Sequence, residues 1–98
     1  MIRVVYRWRL DPDRCADFAH WWHQMTLRIR SDQPGAMGST LLRPGQDQAH
    51  LVGLARWESE EQLVAFWARM SPLEFPGAEL ESMEILEELD HLTLEGLG

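Results

Sequence analysis

A chain of 98 residues, 45% of them apolar, makes a single globular domain and excludes a disordered tail. Nine basic against sixteen acidic residues leave a net charge of −7, which repels phosphate and anionic lipid; neither nucleic acid nor a membrane surface is an expected partner. The lone Cys15 excludes a disulfide framework, no apolar run nears the roughly 18 residues of a membrane span, and Met1-Ile2-Arg3-Val4 lacks a signal-peptide layout, so the expected location is the cytoplasm.

Ile2 to Leu10 alternates: Ile2, Val4, Tyr6, Trp8 and Leu10 share one face, Arg3, Val5, Arg7 and Arg9 the other. Period two with β-branched and aromatic residues predicts a strand with one apolar face. Asp11 and Pro12 then supply an N-cap and a first helical residue. From Asp13 to Arg30, Cys15, Phe18, Trp22, Met25 and Ile29 follow helical spacing, with Ala19 and Thr26 on the same stripe. Cys15 on that stripe is packing, not a nucleophile. Ser31-Asp32-Gln33-Pro34-Gly35 ends the helix.

Ala36 to Arg43 and Ala49 to Trp57 predict two strands joined through Pro44-Gly45-Gln46-Asp47-Gln48 as a hairpin. In the second, Leu51, Gly53, Ala55 and Trp57 share a face. Ser59-Glu60-Glu61-Gln62 is a capping box opening a helix with a Leu63, Phe66, Trp67, Met70 stripe. Leu80 to Leu94 fits either a strand or a helix by pattern. The strand is preferred because it completes βαββαβ, a ferredoxin-like α+β fold with a four-stranded antiparallel sheet.

Charge is divided along the chain. All nine basic residues are Arg; residues 1–57 sum to +3 and residues 58–98 to −10. In the ferredoxin-like plan the first and last strands are neighbours, so Arg3, Arg7 and Arg9 would face Glu84, Glu88 and Asp90 across them. The second sheet face still carries Val5, Val52, Leu54 and Leu86, and covering it with a second copy predicts a homodimer.

Strand, Pro-capped aromatic helix, hairpin ending in Trp57-Glu58-Ser59 and helix with Phe66-Trp67 together resemble the antibiotic biosynthesis monooxygenase family. The resemblance covers Ile2 to about Leu94 and implies one domain over residues 1–98 with the dimeric α/β-barrel form of the fold. It also implies a cofactor-independent monooxygenase, an oxidoreductase acting on a small aromatic or polyketide-type molecule. Trp57 matches the pocket Trp of the quinone-forming branch, but Gly53 stands where that branch has Asn and Leu63 where it has Tyr. Trp67 matches a Trp of the haem-degrading branch. That branch also needs an Asn and a later His, whereas this chain has no Asn and no His between His50 and His91. No cofactor is therefore implied, and no metal-spacing or nucleotide motif is present.

The family pocket lies between sheet and helices, and its walls here would be Tyr6, Trp8, Trp22, Trp57 and Trp67. Such rings suit a flat ligand, or simply fill a small core. Gly53 would admit a ligand or make room for Trp22. His23, flanking the helix stripe, is the candidate catalytic base for deprotonating a phenol or enol, with Arg30 stabilising the anion. Two other functions use the same fold: a polyketide cyclase-like enzyme with His23 as base, and a non-catalytic small-molecule-binding or dimerisation module.

Overall fold

The computed structural model describes residues 1–70 and 74–91. Its elements run β1 (Ile2–Leu10), a 3-10 turn (Pro12–Arg14), α1 (Cys15–Asp32), β2 (Ala36–Leu42), β3 (His50–Trp57), α2 (Glu60–Met70) and β4 (Ala78–Glu87). The four strands form one antiparallel sheet in the order β2-β3-β1-β4, the ferredoxin-like arrangement the element order predicts. No helix among the described residues is long and apolar enough to cross a membrane.

Local chemistry sets the boundaries. Asp11 caps the 3-10 turn, accepting from the Asp13 backbone N–H at 3.0 Å, so α1 begins at Cys15, two residues later than the periodicity predicts. At α2 the Ser59 half of the box forms: the Gln62 N–H donates to Ser59 Oγ at 3.2 Å, while the Gln62 side chain accepts from Ser59 Oγ, at 3.0 Å, and not from its backbone N–H.

Alternation on β1 decides where the core sits. Val4, Tyr6, Trp8 and Leu10 bury against Phe18 and Trp22 of α1 and Leu63 and Phe66 of α2, so both helices cover the same sheet face. Trp8 meets Phe18 and Trp21 edge-on at 5.2 and 6.1 Å.

The last strand is shorter and earlier than expected, spanning Ala78–Glu87 instead of reaching Leu94; residues 92–94 lie outside the described residues. Its register also changes the charge pairs. A bulge between Arg7 and Trp8 places Arg9 opposite Glu79, with which it forms an ion pair, while Arg7 faces Ser82 and Glu84 faces Val5. Of the expected pairs only Arg3–Glu88 forms, at 3.3 Å.

Glu88 lies just past β4, its side chain 9% exposed, and its carboxylate also accepts two hydrogen bonds from Arg56 of β3 at 3.0 and 2.9 Å. One carboxylate thus ties the end of β4 to β1 beside it and to β3 beyond. The Arg56 hydrogen bonds hold the Glu88 carboxyl at about 2, below its ordinary 4.5; desolvation opposes this and Arg3 adds to it. The unfolded chain therefore takes up this proton first, so Glu88 stabilises the fold fully above 4.5 and progressively less as pH falls toward 2. The expected outcome is a melting-temperature gap between the native chain and Glu88→Gln that is widest above pH 4.5 and closes near pH 2. Thermal unfolding followed by circular dichroism across that range checks it.

Candidate functional site

Two turns of α1 face the sheet with Trp22, Met25, Thr26 and Ile29, and Trp22 is the residue held most closely. Its six-membered ring lies against Gly53 of β3, where a Cβ would overlap Trp22 Cζ2 and Cη2. Its indole N–H donates to Ser39 Oγ of β2 at 2.9 Å, and Ser39 Oγ is 2.7 Å from Thr26 Oγ1 on the next turn of α1. Tyr6 of β1 packs edge-on against the same indole at 5.7 Å. The indole is thereby fixed from below, from its polar edge and from one side.

Ser39 reaches this position through a break in strand periodicity. Ala36 pairs with Trp57 and Ser39 with Ala55, so β2 spends three steps where β3 spends two. The extra residue is accommodated at Gly38, whose φ of +107° suits glycine. Strict alternation would turn Ser39 to the open face; the bulge returns it to the helix side.

Beside Trp22, between α1 and the sheet, lies a cavity of about 40 Å³. Its walls are Tyr6, Trp22, Met25, Thr26, Ile29 and Arg30, closed by Ala36, Gly38 and Ser39 of β2, Ala55, Arg56 and Trp57 of β3, and Phe66 of α2. The polar side-chain groups include the hydroxyls of Tyr6, Ser39 and Thr26 and the Arg30 guanidinium; the Arg56 guanidinium turns to the open sheet face. Arg56 is engaged by Glu88, whereas Arg30 makes no ion pair among the described residues. Burial pushes the Tyr6 hydroxyl above its ordinary pKa, with the Trp67 hydrogen bond opposing, so the group is a proton-bearing donor at neutral pH. The site is a small, mostly apolar space with hydroxyls on its polar side.

Of the residues expected here, Tyr6, Trp22 and Trp57 line the cavity. Gly53 sits behind Trp22 and makes room for that indole. Two expected walls stand elsewhere. Trp8 is buried one step along β1, packed among Phe18, Trp21 and Trp22. Trp67 lies outside the lining, but its indole N–H donates to the Tyr6 hydroxyl oxygen at 3.1 Å.

His23 requires a correction, because it is exposed and absent from the lining. One helical step rotates a side chain by about 100°, so with Trp22 pressed onto the sheet its neighbour turns to solvent. His20 is exposed on the same helix, and His50 lies between Asp47 and Glu81 at 2.7 and 3.4 Å. Among the described residues no cluster of three His, Cys, Asp or Glu side chains could hold a metal ion. Ser39 was not foreseen as a site residue; the signal available for it is Gly38 inside an otherwise regular strand.

The sequence model of the antibiotic biosynthesis monooxygenase family matches residues 1–71, and the chain belongs to that family. None of the curated proteins compared with the chain matches it. Among solved structures it is similar to the haem-degrader MhuD from Mycobacterium tuberculosis with two haems in its active site, at 18% identity and TM-score 0.74, covering 95% of this chain and 100% of that one. Rv0793 from the same organism is 19% identical with a TM-score of 0.60, covering 94% and 98%. An antibiotic biosynthesis monooxygenase is 14% identical with a TM-score of 0.64, covering 92% and 100%. At these identities the structures share the fold.

The contact between Gly53 and Trp22 has a direct consequence. Gly53→Ala forces the indole off its seat and is expected to destabilise the domain by about 1–3 kcal/mol through overpacking. Urea unfolding with an unchanged dependence on denaturant checks this.

Proposed function

We propose that the chain binds a small aromatic or polyketide-type molecule in the cavity beside Trp22 and oxygenates it without a cofactor. The observation that carries this reading is the cavity itself: aromatic and aliphatic walls, three hydroxyls and the exposed Arg30 at its edge. In such a reaction the anion of the substrate reduces dioxygen directly, so the protein's part is to bind the ring, exclude water and stabilise negative charge. Arg30 is placed for the last task. With His23 turned to solvent, the substrate must be acidic enough to ionise at the cavity mouth.

One observation favours a second reading. The described lining contains no imidazole and no carboxylate, which suits a binding module without turnover and weakens a cyclase that needs His23 as base. Haem, held by one structural relative, does not fit here. A cavity of about 40 Å³ is far below the several hundred Å³ of a ligand pocket, and no lining residue can act as an axial imidazole.

An oxygen electrode tests the proposal with acidic single-ring phenols. Oxygen uptake is expected, lost in Trp22→Ala and retained in His23→Ala. Product without oxygen uptake identifies the cyclase, and a tryptophan fluorescence change without turnover identifies the binding module.

The proposal includes a cytoplasmic homodimer joined through the open sheet face. Its support is the set of apolar side chains left there: Leu42 and Leu86 are 47% and 41% exposed, with Val52 and Leu54 half-buried between them. Light scattering is expected to report twice the chain mass, and Leu54→Asp at the centre of the patch to report a monomer.

A further inference from the structure

Tyr6 carries a donor that the fold leaves unused. The residue is 3% exposed, lines the cavity, and its hydroxyl oxygen accepts the Trp67 indole N–H at 3.1 Å. That bond occupies a lone pair and orients the phenol while leaving its own proton unassigned; among the described residues no acceptor takes it. A buried hydroxyl proton without an acceptor is unfavourable, and the space beside this one is a cavity. Ser39 accepts the Trp22 N–H and shares one hydrogen bond with Thr26, which leaves one proton to that pair; both of those side chains are half-buried, whereas Tyr6 is enclosed.

Resting on the proposed ligand cavity, we infer that the Tyr6 hydroxyl is the specificity-determining donor, selecting aromatic ligands that carry a carbonyl or phenolate oxygen over hydrocarbons of the same shape. The burial that keeps Tyr6 protonated keeps it a donor throughout the neutral range. Trp67 takes part without touching the ligand, as a positioning residue that holds the phenol oxygen from behind. A cavity of about 40 Å³ is smaller than one ring, so a single-ring ligand enters as half-buried Met25, unbranched and flexible, moves aside.

Two probes of matched shape, acetophenone and ethylbenzene, test this through quenching of the Trp22 and Trp57 fluorescence. The native chain is expected to bind acetophenone roughly tenfold more tightly, and Tyr6→Phe to reduce that ratio to near one by weakening acetophenone alone. Equal affinity of the two probes for the native chain overturns the inference while leaving the cavity reading intact. A preference that survives in a folded Tyr6→Phe protein overturns it as well. If neither probe binds the native chain, the cavity reading fails and the role of Tyr6 with it. The comparison within the native chain holds even where Tyr6→Phe does not fold.

Discussion

The arrangement around the cavity depends on one indole held at three points. Trp22 rests on a glycine, hands its N–H to Ser39, and receives the edge of Tyr6. Each contact requires something particular of its strand: no side chain at Gly53, a bulge at Gly38, and the inward parity of β1. A buried indole N–H without a partner costs about as much as a lost hydrogen bond, so the placement of Ser39 contributes to stability as well as to the site. The same pins explain why the space left over is small.

The open side of the sheet follows a different logic. Its polar content is charge, and the charge is arranged to satisfy itself along and across strands. Glu88 between Arg3 and Arg56, and Arg9 with Glu79, use acids from the C-terminal half to neutralise cations from the N-terminal half, while His50 lies between Asp47 and Glu81. Exposed pairs such as Arg9–Glu79 are worth little, since solvent screens them. The Glu88 cluster differs because its carboxylate is nearly enclosed and accepts from two guanidiniums. Between these pairs lie the aliphatic side chains that make the face suitable for a second copy.

Membership of the family brings a scaffold on which the chemistry is carried by individual side chains. In this chain the region under α1 is filled by Trp22, Trp57 and Phe66, and its polar groups include the hydroxyls of Tyr6, Ser39 and Thr26.

Much of the fold was legible from pattern: alternation on β1 named the buried face, the Ser59 box opened α2, and the βαββαβ order selected the sheet topology. The aromatic wall was legible in part, since Tyr6, Trp22 and Trp57 carry inward parity. Parity assigns a face but not a depth along it, and for that reason Trp8 entered the core and Trp67 stood behind Tyr6 instead of beside the cavity. Flanking a helical stripe left His23 undecided until the packing of Trp22 turned it outward. Register shifts decided the remainder. The bulge beside Arg7 redirected the ion pairs and the one at Gly38 brought Ser39 inward, because an added residue costs a strand little locally yet reverses every side chain beyond it.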